Sequence, residues 1–245
     1  MAGAELNVQC DDGLAVITID RPQARNAIAP ETMDQLDRAL DEAAGARALV
    51  ITGGGDRAFV SGGDLKQLAA IRTEPDAAAM AWRMRTLCDR IAAFPAPVIA
   101  AMNGHALGGG AEVAVAADIR IAAADVKIAF NQVSLAIMPA WGGAERLAAL
   151  VGRSQALLLA GTGIMLDAPA AERIGLINRV VPRDSFDADW RALARSLANP
   201  SAVEIKRVID GASPDEAVAA FARLWVADEH WAAADRLDQQ RRAQS

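Results

Sequence analysis

Short uninterrupted apolar runs, separated by stretches of helical periodicity, constrain this chain more than any other feature. Leu14-Ala15-Val16-Ile17-Thr18-Ile19 is β-branched and bounded by Gly13 and Asp20, so it reads as a strand; Arg21-Pro22 ends it because proline cannot continue a ladder. Ala48-Leu49-Val50-Ile51-Thr52 is a second run, closed by Gly53-Gly54-Gly55, and similar strands are predicted over 97–102 and 119–122. Pro30-Glu31-Thr32 opens a helix to about residue 44, with Met33, Leu36 and Leu40 at helical spacing. A long helix is predicted over 76–94, with Met80, Met84, Leu87 and Ile91 on one face, and a short one over 113–117. Strands that are apolar on both faces need cover on both, so the expected class is α/β, with helices packed over sheets. After residue 182 no clear strand remains, and from Ser201 onward the pattern is helical and charge-laced. With no Gly/Ser/Pro linker between them, 1–182 is expected as the core and 183–245 as a helical region of the same domain. No repeat of solenoid period is visible.

Composition narrows the class. At 53% hydrophobic residues over 245 positions the chain can bury a sizeable core and is not a disordered one. Lys and Arg number 25 against 31 Asp and Glu, a net charge of −6 that argues against a nucleic-acid surface. Cys10 and Cys88 make no CxxC and no disulfide framework. Met1-Ala2-Gly3-Ala4-Glu5 has neither a basic nor an apolar leader region, and the uncharged stretch 91–111 is broken by Pro95, Pro97, Asn103 and His105. The expected location is cytoplasmic, with no membrane partner.

Several chemistries have no residues to carry them. His105 and His230 are the only histidines, tyrosine is absent, and no cluster has metal-ligand spacing. Gly152-Arg153-Ser154 completes no nucleophile elbow, residues 104–109 lack the ending of a P-loop, and no GxGxxG follows a strand. No cofactor and no metal are therefore expected. What remains is carboxylates, backbone amides and two glycine-rich segments, Ala58-Phe59-Val60-Ser61-Gly62-Gly63-Asp64-Leu65-Lys66 and residues 103–112, each following a strand and leading into a helix. Adjacent glycines at a helix start expose free N–H groups and let a ligand approach the backbone. One such turn reads as a loop; two facing each other supply two donors to one oxyanion.

These motifs, in this order, resemble the crotonase superfamily, the enoyl-CoA hydratase/isomerase proteins. The resemblance runs through Arg21-Pro22 with Asn26-Ala27, the two glycine-rich segments, Pro97-Val98-Ile99-Ala100, Ala117-Asp118-Ile119-Arg120, Ile137-Met138-Pro139, Trp141-Gly142-Gly143 and Ala171-Glu172-Arg173-Ile174-Gly175-Leu176. It implies a spiral of ββα units with a C-terminal helical region that covers the acyl site and forms a trimer or hexamer. It also implies an acyl-coenzyme A thioester as substrate, with coenzyme A part of that substrate rather than a cofactor. The thioester oxygen would lie between the N–H groups of Gly63 and Gly109. Glu112 matches one of the two catalytic glutamates of the hydratases and would activate water.

The second hydratase glutamate falls on Gln132, an amide that cannot deliver a proton as a carboxylic acid does. The expected activity is an enoyl-CoA hydratase-type lyase, and three alternatives stay open. The stretch around Phe130 and Trp141 is similar to the ethylmalonyl-CoA decarboxylases, with Asn131 or Gln132 holding the departing carboxylate; isomerisation and a non-catalytic CoA-binding homologue are the others. Arg25, Ser61, Asp64, Leu65, Lys66 and Trp141 are the candidate substrate-binding residues, Arg25 and Lys66 for the phosphates. Asp64 also reads as a helix cap, His105 as structural, and Glu145 as a cap beside Arg146. Phe221, Leu224, Trp225 and Trp231 form an apolar stripe on the tail that packs on the core or on a neighbouring subunit.

Overall fold

The apolar runs become the middle of a six-stranded sheet. The computed structural model of the chain describes residues 5–243. Strands β1 (Leu6–Asp11) and β2 (Leu14–Ile19) form a hairpin closed by Asp12 and Gly13, whose φ angles of 44° and 78° make the turn that matches the strand twist. The chain continues through α1 (Pro30–Glu42), β3 (Ala48–Gly53), β4 (Ala58–Val60), α2 (Leu65–Leu68), α3 (Glu74–Ala92), β5 (Val98–Met102), β6 (His105–Leu107) and α4 (Gly109–Ala116). Next come β7 (Ile119–Ala123), β8 (Lys127–Ala129), a 3-10 turn at Asn131–Leu135, α5 (Gly143–Val151), α6 (Arg153–Thr162), β9 (Leu166–Asp167), α7 (Ala168–Arg173) and β10 (Arg179–Val181). Four helices end it: α8 (Phe186–Leu197), α9 (Pro200–Ile209), α10 (Pro214–Trp225) and α11 (Asp228–Ala243).

The large sheet has the order β1-β2-β3-β5-β7-β10, parallel from β2 onward. A second, four-stranded sheet has the order β4-β6-β8-β9. The units β3-β4-α2, β5-β6-α4 and β7-β8-α5 each lay one strand in each sheet before a helix, and this is the expected ββα spiral. Every residue of β3 and β5 is buried, which is why both read as continuous apolar runs. Helix α8 adds Phe186, Trp190 and Ala194 to the core against β3.

Scaffold motifs find concrete roles. Asp118 accepts from the Val98 N–H at 2.7 Å and from Lys206 Nζ at 2.6 Å, tying α9 to the sheet. Arg120 is buried and donates to the Leu176 and Ala117 carbonyls and to Asn178 Oδ1, so that no donor is stranded. Burial lowers its pKa to about 10. Cys88 is buried, its thiol pushed up to about 12 by desolvation, while Cys10 is exposed.

Several expectations are corrected. The second glycine-rich segment contains a strand of its own, β6, and α4 begins at Gly109 rather than at 113. Helix α3 starts at Glu74 because Thr73 caps it, accepting from the Asp76 N–H at 3.3 Å. Glu145 caps nothing with its side chain and pairs with Arg85 at 2.8 Å, while Arg146 pairs with Asp89. Of the tail stripe, Phe221, Trp225 and Trp231 are exposed rather than packed on the core, with the Trp225 ring in contact with those of Phe221, His230 and Trp231. Among the described residues no helix is long and apolar enough to cross a membrane.

Candidate active site

Because β4 and β6 run parallel, the glycine-rich segments that follow them emerge side by side. The point where Gly62 would carry a Cβ lies 3.3 Å from the Gly109 nitrogen, so the two turns face each other closely. Among the described residues neither the Gly63 nor the Gly109 N–H donates to any group. Gly109 opens α4, whose first N–H groups have no intrahelical acceptor and whose dipole favours negative charge there.

Glu112 lies in the first turn of α4 and is 2% exposed. Its Oε2 accepts from the Trp141 N–H at 2.7 Å and the Gly143 N–H at 2.9 Å, and its Oε1 from Gln132 Nε2 at 2.8 Å. Desolvation raises the Glu112 pKa, and the hydrogen bonds from Gly143, Trp141 and Gln132 pull against that rise. Close approach demands glycine twice here. A Cβ on Gly143 would sit 2.3 Å from Glu112 Cγ, and one on Gly109 would sit 2.1 Å from the Trp141 indole. Gln132 is buried against Glu112, and its Oε1 has no partner within the chain. An ionised carboxylate can only accept, so it fixes the amide with Nε2 inward.

Gln132, Trp141 and the two glycine-rich turns line a cleft of about 1060 Å³. Arg25, Ser61, Gly63, Leu65, Gly109, Gln132 and Trp141 belong to its wall, as the sequence reading expects of a site. Glu112 stands behind that wall, in contact with Gln132 and the Trp141 backbone. Asp64 and Lys66 are not part of the lining. Asp64 caps α2 by accepting from the Gln67 N–H at 3.3 Å and pairs with Arg21 at 3.0 Å; against the opposing effect of burial, that Arg21 hydrogen bond holds its carboxyl low. Lys66 points to solvent from the exposed side of the same short helix. Asp64 is taken up by its cap and its ion pair, while helical spacing puts Leu65 and Leu68 on the cleft side of α2 and Lys66 on the other.

The cleft lining also holds charged residues that sequence reasoning missed. Arg57 comes from the loop before β4, and Arg183 follows β10 and pairs with Asp125 at 2.6 Å. His105 also lines the cleft, its Nδ1 accepting from the Lys127 N–H at 3.1 Å. No local pattern marks these arginines; only the folding of β10 beside β7 brings residue 183 to a cleft begun near residue 25. Among the described residues no three His, Cys, Asp or Glu side chains converge as a metal set.

Comparisons with known proteins point to one family. The profile of the enoyl-CoA hydratase/isomerase family matches residues 9–217. A Mycobacterium bovis protein named probable enoyl-CoA hydratase is 37% identical over 198 residues, covering 80% of this chain and 76% of its own. The crotonyl-CoA hydratase of Syntrophomonas wolfei is 34% identical over 212 residues, covering 84% and 80%. Among solved structures, an enoyl-CoA hydratase from Bacillus anthracis superimposes with a TM-score of 0.88 at 27% identity, covering 97% of each chain. Pseudomonas aeruginosa DspI superimposes with a TM-score of 0.86 at 29% identity, covering 97% and 95%.

Proposed function

The chain belongs to the enoyl-CoA hydratase/isomerase family, and from that premise we propose that it is a hydratase-type lyase acting on acyl-coenzyme A thioesters. The observation that carries the reading is the pair of unpartnered N–H groups at Gly63 and Gly109, the second of them one helical turn ahead of buried Glu112. As a water oxygen bonds to the β-carbon of an enoyl thioester, Glu112 takes the proton that water gives up. The double-bond electrons move onto the thioester oxygen, and the two N–H groups hold the charge that develops there. Glu112 then returns the proton to the α-carbon and the carbonyl re-forms, leaving a 3-hydroxyacyl thioester. Gln132 has no acid proton to contribute; it holds Glu112 and keeps a neutral face toward the acyl group. Arg25, Arg57 and Arg183 of the lining supply charge for the phosphates of coenzyme A.

One observation favours a second reading. Asn131 and Gln132 are the hydrogen-bonding side chains of the cleft beside Glu112, both neutral, so no second carboxylate there repels a carboxylated acyl group. Loss of CO2 from such a thioester would leave its bonding electrons as the same enolate, which then takes a proton. Incubation with crotonyl-CoA and, separately, ethylmalonyl-CoA, with mass detection of products, separates the two. Turnover of neither overturns both.

The same reading includes a trimer or hexamer in the cytoplasm, with the aromatic stripe of α10 and α11 as a contact surface, and no metal or nicotinamide. Sedimentation of a 25.6 kDa species alone at micromolar concentration would sink the assembly. Acetyl-CoA binding that needs added metal in calorimetry would sink the cofactor-free site.

A further inference from the structure

We propose that Arg21 is a positioning residue for the reaction: it is the buried positive head of a hydrogen-bonded chain of two peptide groups that ends on the Gly63 N–H and strengthens it as a donor to the thioester oxygen. The proposal rests on the thioester reading above and adds to it a residue that lies outside the cleft lining.

Arg21 follows β2 and is 6% exposed. Its Nη1 donates to the Ala27 carbonyl. On the other side of that same peptide group, the Ile28 N–H donates to the Gly62 carbonyl at 2.8 Å. On the other side of the next peptide group stands the Gly63 N–H, which has no partner among the described residues. A peptide group is planar and trans, so its N–H and C=O point in opposite directions, and holding the carbonyl aims the N–H. Hydrogen bonds in series polarise one another in a low-dielectric interior, and a cation at the head strengthens the donor at the tail. The chain thus runs from the guanidinium through two peptide groups to the place where the thioester oxygen gains charge.

The path is held along its length. The Ile28 carbonyl accepts from the Asp64 N–H at 2.8 Å, so Ile28 clasps the peptide groups before and after Gly63. Asn26 is fully buried with φ of 56°, a left-handed conformation that asparagine tolerates, and it turns the chain back toward the glycine turn. Its Oδ1 accepts from the Arg21 N–H at 2.9 Å, and its Nδ2 donates to the Ala58 carbonyl at 2.7 Å. The guanidinium sits between two carboxylates, Glu5 at 2.9 Å and Asp64 at 3.0 Å. These counter-charges separate a bracing role from a polarising one. If Arg21 only braces the fold, loss of a carboxylate weakens the brace and lowers activity. If its charge drives the chain, loss of a carboxylate leaves more of that charge acting on the Ala27 carbonyl and raises activity.

Turnover is measured with whichever of crotonyl-CoA and ethylmalonyl-CoA the parent protein converts, since both pass through the same enolate. Arg21→Met should lower kcat about tenfold or more while butyryl-CoA affinity in calorimetry moves less than about threefold, because the donor matters most once charge has developed. Arg21→Lys keeps the charge and should recover part of the loss. Asp64→Asn keeps an oxygen to cap α2 and should raise kcat about threefold. Infrared difference spectra of bound butyryl-CoA, labelled with carbon-13 at the thioester carbonyl, read the donor without turnover. The carbonyl band should lie at higher frequency in Arg21→Met than in the parent, and at lower frequency in Asp64→Asn. Where Arg21→Met does not fold, Asp64→Asn decides the sign alone. A kcat for Asp64→Asn at or below that of the parent, or a carbonyl band unmoved by Arg21→Met, overturns the proposal and leaves the thioester reading intact. Failure of the parent to bind butyryl-CoA overturns that reading and the proposal with it.

Discussion

The two walls of the cleft are built on opposite terms. On the inner wall each Glu112 oxygen has named donors, supplied by residues 132, 141 and 143, and the side chains around it are buried. On the outer wall Leu65, Leu135, Ile137 and Met138 stand largely in water, with no polar partner to orient them. The inner wall places atoms by hydrogen bonds and contacts that tolerate little displacement; the outer wall offers area, which is non-directional. Chemistry should therefore be sensitive to small changes inside, and affinity should respond gradually to changes outside.

The strongest test of this contrast is Glu112→Gln, which keeps the shape but removes the base. Crotonyl-CoA turnover should fall by about 100- to 10,000-fold. Because burial raises the Glu112 pKa and the base must be ionised, activity in the parent protein should be lost as pH falls through that raised value. The acid limb of its pH–rate profile should therefore lie above the ordinary carboxylate range, and an acid limb near the usual 4.5 would contradict the burial argument.

Gly109→Ala comes next, with an expected loss of roughly 100- to 1,000-fold as the new methyl displaces either the indole or the oxyanion donor. Adding Trp141→Leu makes room and should recover part of that loss; no recovery would mean the indole is not what the methyl strikes.

Gln132→Glu works in the opposite direction and should raise crotonyl-CoA hydration about tenfold or more by supplying an acid for the α-carbon. Two carboxylates in contact share the pocket by keeping one protonated, and adding Glu112→Gln should abolish the gain. Unchanged hydration with lost ethylmalonyl-CoA decarboxylation would favour the second reading. The smallest effect belongs to the outer wall: Ile137→Ala should cost roughly threefold in kcat/KM. A hundredfold loss there would erase the distinction between the walls.

Legibility followed the length and purity of each signal. Strands β2, β3, β5 and β7 could be read because each is a run of five or six residues, mostly buried. Strands β4, β6, β8 and β9, of two or three residues, carry no period, so the second sheet is invisible in the sequence, and so is the three-residue β10 of the first. Strand β1 alternates polar and half-buried residues, yet the Asp12-Gly13 pair was a usable hairpin signal that the sequence reading passed over. The glycine pairs, Glu112 and Gln132 are legible as motif positions, and so is Asp64 as a cap, whereas the binding role expected of Lys66 fails because nothing local says which way a four-residue helix faces.

The chain's own order of residues determined the α/β class, the two glycine-rich turns that contain Gly63 and Gly109, and the identity of residue 132 as an amide. These follow from side-chain volume, backbone freedom and chemical identity, which are local properties. Tertiary structure alone decided that Trp141 and Gly143 donate to a glutamate 29 and 31 residues earlier. It also decided that Arg183, the apolar residues of α2 and those of the segment after residue 134 line one cleft. Such pairings depend on the register and crossing of strands from different ββα units, and that geometry comes from burying the whole core at once.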